Sequence, residues 1–282
     1  MERKETSELI QTINNSVINI EHVTSSMLHQ FKHGKKHGSK TYVYDIDNVE
    51  VNGRKNKAWS WRQGEMTIWT GYNNEGKSQF LIFLCILKAL NEGKKFAFFS
   101  PENFPPDDFY DDVIHTILGR TTDCESPFFD MSEDEYMDCI ERIKGLFFFV
   151  YPLGSDGKPD FRIEKIESVF EYLIMEHDIF SVIVDPFLKI RHEMNGRADH
   201  TYAADFMMDR INFTRKQNVV YNLVMHQTTP TKAQGEKNYV KPDLYKVKGG
   251  GTYADSVDNV CSIWRPDRGS DKLSTRVMFI SD

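Results

Sequence analysis

"GYNNEGKSQF", Gly71–Phe80, decides how the rest of the chain is read. It satisfies G-x-x-x-x-G-K-[ST], with Gly71, Gly76, Lys77 and Ser78 at the fixed positions. In such a loop the backbone N–H groups and the N-terminus of the following helix cradle phosphate oxygens. The lysine sets its ammonium on the same oxygens, and the serine hydroxyl ligates Mg²⁺. At average residue frequencies a chance match in a chain this long has a probability on the order of 1%. The context fits as well: "MTIWTG" (Met66–Gly71) reads as a short buried strand, and "KSQFLIFLCILKALNEG" as a helix that stops at Gly93. Gly71, Tyr72, Asn73, Asn74, Glu75, Gly76, Lys77, Ser78 and Gln79 are therefore the candidate phosphate-binding set.

Outward from the loop the chain alternates. "KFAFFS" (Lys95–Ser100) reads as a second strand, and Pro105–Pro106 open a helix with proline in its first turn and acids behind it. "SEDEYMDCIERI" carries a capping signal at Ser132 and Glu135. "LFFFVYP" reads as a strand, and Ile163, Ile166, Val169, Phe170, Leu173 and Ile174 mark one face of a helix. The strand "FSVIVDP", the helix Tyr202–Lys216, the strand "VVYNLVMHQ" and the apolar segments "NVCSIW" and "RVMFIS" follow. Near-continuous apolar strands separated by helices predict an α/β fold, a mostly parallel sheet covered by helices on both faces.

Residues 1–40 differ. Leu9, Ile10, Ile13, Val17, Ile18 and Ile20 recur at partly helical spacing ahead of "KHGKKHGSK", so the segment reads as an N-terminal arm and basic linker before one domain over 41–282. His29, His33 and His37 repeat every four residues, as a metal-ligand row on a helix would. Gly34 and Gly38 interrupt that helix and no carboxylate keeps step, so the stretch reads as solvated linker.

Composition narrows the function. Hydrophobic residues are 40% of the 282, which excludes a wholly disordered chain. The longest apolar run, Phe80–Leu87, is far too short to span a bilayer, and no membrane partner is expected. "MERKETSELI" is too charged and acidic for a signal peptide. The four cysteines lack C-x-x-C spacing and read as free thiols in a reducing cytoplasm. A net charge of −7 argues against coating nucleic acid with the whole surface, so any such contact is expected in a groove or channel.

Three further positions suit a phosphate site. Asp185 ends the apolar strand "FSVIVDP"; in P-loop enzymes such an aspartate holds Mg²⁺, usually through water, although an aspartate can also simply end a strand. Glu102 in "FFSPEN" follows the strand after the loop helix, where a carboxylate could orient and deprotonate an attacking water, or merely approach a helix. His226 and Gln227 end another strand, at the edge where polar side chains face the ligand crevice. His226 could bond a γ-phosphate or be satisfied by backbone carbonyls.

In this order and spacing the elements resemble the RecA-like ATPase domain of replicative ring helicases. The phage primase–helicase and Twinkle branch is nearer than the DnaB branch, on "VDPF" and His226. The resemblance runs from about Trp61 through "FSPEN", "IVDPF" and "VMHQ" into "KPDLYKVKGGGTYADSVDNVCSIWRPD", Lys241–Asp267, and the glycine-rich segment is its most telling part. It implies ATP and Mg²⁺ as cofactors, with Lys77 and Ser78 on phosphate and metal, Glu102 as the catalytic base and Asp185 as the second Mg²⁺-associated acid. His226 resembles the γ-phosphate sensor, with Gln227 beside it. It also implies a homo-oligomer, a hexameric ring around single-stranded DNA, working in the cytoplasm of a bacterial or phage-infected cell. Lys232, Lys237, Lys246, Lys248 and the Gly249, Gly250, Gly251 turn are the expected DNA contacts, because phosphates need cations and close backbone approach.

Two departures from the family follow. Arg265, Arg268 and Arg276 are the late arginines, and none aligns with the arginine finger that a neighbour supplies in these rings. No primase-like region precedes the core. The expectation is a stand-alone ATPase core or a C-terminally incomplete piece acting as a DNA helicase. The alternatives are a recombinase-like or RepA-like DNA-binding ATPase, or an ATP-switched protein-binding module.

Overall fold

A computed structural model of the chain describes residues 17–34, 38–194, 196–228, 237–243, 246–271, 274 and 276–281. The chain divides into two compact units, Met1–Gly38 and Ser39–Asp282. In the first, helix α1 (Ile20–His33) is opened by a capping box: Asn19 Oδ1 accepts from His22 N, and His22 Nδ1 accepts from Asn19 N. None of its residues is buried, and Phe31 is 88% exposed. His29 and His33 lie together on it, with ring centroids 4.5 Å apart, and the helix ends at Gly34. His37, Leu9, Ile10 and Ile13 lie outside the described residues. Among the described residues no group of side chains is arranged to hold a metal ion.

The second unit starts with a short helix α2 (Tyr44–Asp47) and a hairpin of β1 (Val49–Val51) and β2 (Arg54–Asn56). Asn52 and Gly53 turn it with φ of 52° and 72°, the Asn-Gly signature of a two-residue hairpin. Seven strands then form one sheet: β3 (Met66–Thr70), β4 (Phe96–Phe99), β5 (Phe147–Phe149), β6 (Ser181–Val184), β7 (Val220–Val224), β8 (Asn259–Trp264) and β9 (Met278–Ser281). Their spatial order is β5-β4-β6-β7-β3-β8-β9. Every pairing is parallel except β8 with β9, where Cys261 faces Ser281 and Trp264 faces Met278. The expected α/β architecture is therefore present, with an antiparallel strand closing one edge.

Alternation along the strands supplies two cores. Met66 and Ile68 of β3 point to one face, which α6 (Ile163–His177) and α7 (Asp199–Gln217) cover with Ile166, Phe170, Phe206 and Met207. Trp69 points to the other, covered by α3 (Lys77–Glu92), α4 (Pro106–Leu118) and α5 (Glu133–Ile143) through Leu81, Leu84, Phe109 and Cys139. A buried polar chain fixes the central strands: Trp69 Nε1 donates to Asn222 Oδ1 at 2.8 Å, and Asn222 Nδ2 donates to Ser181 Oγ at 2.8 Å. Each group is satisfied, so the chain rigidifies the sheet rather than weakening it. Among the described residues no helix is long and apolar enough to cross a membrane.

Candidate nucleotide site

The carboxyl ends of β4, β6, β7, β3 and β8 lie side by side, and each delivers one part of the site. After β3 the chain turns at Gly71 with φ of +144°, where a Cβ would stand 2.3 Å from the Ile263 carbonyl oxygen of β8. Only glycine fits there. The turn continues through Asn74 and Gly76, both at positive φ, and α3 begins at Lys77 with no side chain capping it. Its first amides are thus left for a ligand, the usual anion site at a helix N-terminus.

Lys77 is 4% exposed, and its Nζ donates to the Tyr72 carbonyl at 2.8 Å. Burial lowers its pKa to about 8, while the charges of Asp185, Glu75 and Glu102 pull the other way. Burial pushes the Asp185 carboxyl up to about 6, opposed first by a hydrogen bond with Ser78 and then by the Lys77 charge. Lys77, Ser78 and Asp185 therefore meet at one buried point. A buried carboxylate beside a hydroxyl is an oxygen pair suited to Mg²⁺, and a buried ammonium suits phosphate.

Glu102 is exposed in the turn Pro101–Asn103 after β4, and its carboxylate pairs with Lys189 Nζ at 3.4 Å. Lys189 follows Asp185 on the next loop, and no sequence pattern marks it. His226, just beyond β7, is half-buried; burial lowers its pKa, and the Lys77 charge adds to that while Glu102 opposes it. Its Nδ1 is buried with no partner among the described residues, as is Gln227 Oε1. An orphaned nitrogen facing the charges of Lys77 and Glu102 fits a phosphate ligand better than a histidine satisfied by carbonyls. Gln227 N donates to the Gly71 carbonyl at 3.0 Å, and its Nε2 to the Asp243 carbonyl at 2.7 Å. Gln79 hydrogen-bonds Asp112, and Asn73 and Asn74 are exposed. Tyr72 packs on Tyr239 with ring centroids 5.1 Å apart, and its hydroxyl donates to the Val240 carbonyl.

The lysine and glycine segment meets the same edge. Gln227 bridges to Val247, Lys248 N donates to the His226 carbonyl at 2.7 Å, and Thr228 N donates to the Lys246 carbonyl at 3.1 Å. Gly249 has φ of +109°, and a Cβ on it would approach the Tyr253 ring to 2.9 Å. Tyr253 in turn packs on Phe187, two residues past Asp185, at 5.1 Å between ring centroids. Lys237, Lys246, Lys248, Gly249 and Gly250 are exposed, and Gly251 is half-buried. Lys232 lies outside the described residues.

Two of the late arginines reach the phosphate loop from the connection after β8. Arg265 N donates to Glu75 Oε2 at 2.5 Å, and one Arg268 guanidinium nitrogen reaches Asn73 O at 2.7 Å and Glu75 Oε1 at 3.3 Å. Arg276 instead pairs with Asp267. Nearly two hundred residues separate these arginines from the loop, and no local pattern in the sequence points to the contact.

Known proteins share this arrangement of elements. A solved helicase ATPase domain superposes with a TM-score of 0.66 at 12% identity, covering 93% of this chain and 94% of that one. A DnaB-like replicative helicase, whose structure was described with its interactions with primase, gives 0.62 at 13% identity, covering 99% and 73%. The fold is that of a RecA-like helicase ATPase domain. In sequence the chain is 25% identical over 242 residues to the Twinkle homolog protein, chloroplastic/mitochondrial, of Arabidopsis thaliana. That match takes in 80% of this chain but only 30% of the relative's length. No protein-family model matches the chain. The resemblance to replicative-helicase ATPase domains is thus borne out, and it supports a P-loop nucleotide hydrolase that uses Mg²⁺.

Proposed function

We propose that the chain is the ATP-driven motor of a replicative DNA helicase, coupling hydrolysis of Mg²⁺·ATP to movement along single-stranded DNA. The observation that carries the reading is the pairing of residues 246–248 with the end of β7, which ties two lysines to the backbone around His226. A change at the γ-phosphate felt by His226 is passed directly to a basic, glycine-flanked loop.

In this reading the amides of the Gly71–Gly76 loop and the Lys77 ammonium hold the β- and γ-phosphates. Mg²⁺, held by Ser78 and by Asp185, supplies charge neutralisation on the phosphate oxygens. Glu102 orients a water and takes its proton as the water oxygen bonds to the γ-phosphorus; the bond to the bridging oxygen breaks and ADP leaves with that electron pair. His226 bonds the γ-phosphate through Nδ1 or loses that partner after cleavage, and Gln227 keeps Gly71 and Asp243 in register beside it. Single-stranded DNA lies against Lys232, Lys237, Lys246, Lys248 and the Gly249–Gly251 turn.

A ring of copies, hexameric by resemblance, accounts for the exposed apolar residues of α1: Val23, Met27, Leu28 and Phe31 are not buried within their own unit. The arm over 1–40 packs on a neighbouring copy, and the domain over 41–282 works in the cytoplasm of a bacterial or phage-infected cell. The test is ATP turnover with and without single-stranded DNA at low salt, beside a Lys77→Ala control. The expected result is stimulation by DNA in the natural chain and loss of turnover in the variant. Turnover indifferent to DNA would sink the motor reading, and failure to open a forked duplex despite stimulation would favour a DNA-binding ATPase without unwinding.

A further inference from the structure

We infer that Arg268 is a positioning residue of the phosphate loop: by neutralising the buried carboxylate of Glu75 it lets the loop accept the phosphates of a nucleotide. The inference rests on the nucleotide reading above and deepens it. The loop carries a contradiction. Six residues that should present positive ends to an anion include a carboxylate that is 1% exposed, two positions before Lys77. A buried negative charge beside a phosphate site repels the ligand, and with little water to screen it the repulsion acts at close to full strength.

The structure shows how that charge is answered. Glu75 Oε2 accepts from Arg265 N at 2.5 Å, a backbone donor that carries no net charge. Glu75 Oε1 faces the guanidinium of Arg268 at 3.3 Å, within ion-pair distance. The same guanidinium nitrogen donates to Asn73 O at 2.7 Å, so one group turns both a carboxylate and a loop carbonyl away from the ligand side. With both oxygens of Glu75 engaged, it is not a free base competing with Glu102.

Arg268 is itself held in place. Gly269 packs so closely on Lys237 that a Cβ would stand 1.8 Å from its carbonyl oxygen. Ser270 N donates to Asn238 Oδ1 at 2.8 Å, and Asn238 Nδ2 donates to Ser270 Oγ at 3.1 Å. The turn bearing Arg268 and the segment bearing Tyr239 thus form one brace: Tyr239 packs on Tyr72 at one end of the loop, and Arg268 grips Asn73 and Glu75 further along it. Removing one member of such a buried pair leaves the other charge uncompensated, which is far worse than removing both.

That asymmetry gives the test. The affinity of a fluorescent ATP analogue with Mg²⁺ is measured for the natural chain, Lys77→Ala, Arg268→Ala, Arg268→Lys and the double variant Glu75→Gln/Arg268→Ala, with thermal melting as a check on folding. Arg268→Ala is expected to weaken binding by at least about tenfold, and more for the triphosphate than for the diphosphate. The double variant is expected to recover most of that loss, because the charge needing an answer is gone; Arg268→Lys falls between. A purely structural brace would make the double variant as weak as Arg268→Ala, and that result overturns the inference, as does wild-type affinity in Arg268→Ala. Should Arg268→Ala not fold, the double variant decides alone: binding within a few-fold of the natural chain supports the inference, and weak binding overturns it. If the natural chain binds no better than Lys77→Ala, it is the nucleotide reading that falls, and this inference with it.

Discussion

The phosphate loop and the lysine segment share one edge of the sheet but are held in opposite ways. In the loop Gly71, Tyr72, Glu75 and Lys77 are buried, and strand β8, the connection after it and residues 239–240 grip them from several sides. In the segment Lys237, Lys246, Lys248, Gly249 and Gly250 are exposed, and the backbone bonds at 246–248 join it to the end of β7. The difference matches the two ligands. A triphosphate has a fixed shape, and donors fixed in advance give the largest gain in rate and affinity. A sliding polymer needs cations that can follow it and a backbone that can come close.

The largest expected effect separates chemistry from binding within the rigid wall. Glu102→Gln keeps the size and hydrogen-bonding of the side chain but cannot take a proton, so turnover is expected to fall by roughly 10²–10⁴. Nucleotide affinity should stay near that of the natural chain, since Glu102 is exposed and its structural contact is the ion pair with Lys189. Phosphate release under saturating ATP, set beside a binding titration, checks this; wild-type turnover would mean that another group is the base.

A smaller effect tests how rigid the wall is. Gly71→Ala places a methyl where the Ile263 carbonyl stands and at a φ that alanine resists. Strand β8 or the loop must shift, at a cost of about 1–3 kcal/mol. Thermal melting should drop by several degrees, and ATP affinity should fall with it. The same melting temperature and affinity as the natural chain would show that the close approach is not needed to shape the site.

Much of this was legible in the sequence because its signals are local. The G-x-x-x-x-G-K-S spacing, the apolar strand ending at Asp185, and the capping box at Ser132 and Glu135 are each complete within a few residues, and the structure has the strand, loop and cap where they predict. What stayed hidden depends on partners far along the chain. Lys88, a charge in the middle of a helix, suggests a solvated face, yet its side chain is wholly buried, with Nζ on Glu92, Ser39 and the Lys40 carbonyl. Asn222 interrupts an apolar strand and makes sense only once Trp69 and Ser181 are beside it. Glu75 looks like any polar loop residue until Arg268 arrives from beyond β8. The Asn52-Gly53 hairpin is a different case: its turn signal is local, but the strands it joins are three residues long and carry no apolar run.

The smallest expected effect belongs to the loosely held side, and it is the one that would show the two regions to be separable. Lys246 and Lys248 lie on either side of Val247, whose bridge to Gln227 is backbone to backbone and survives a change of side chain. Lys246→Ala therefore removes a cation without loosening the β7 end. If Lys246 neutralises a DNA phosphate, affinity for single-stranded DNA should fall a few-fold in the variant. The slope of log affinity against log salt should lessen by about 0.7, the share of a single phosphate. ATP affinity should not change, because the phosphate wall keeps every group that holds it. Lys248→Ala should weaken DNA binding by a similar amount but also shift the titration of His226 upward, since the Lys248 charge is among those that lower it. DNA-binding isotherms at several salt concentrations, with a nucleotide titration of each variant, read both quantities. An unchanged salt slope in both variants would take these lysines off the DNA path, and a matching fall in ATP affinity in Lys246→Ala would show that the lysine segment is part of the phosphate wall after all.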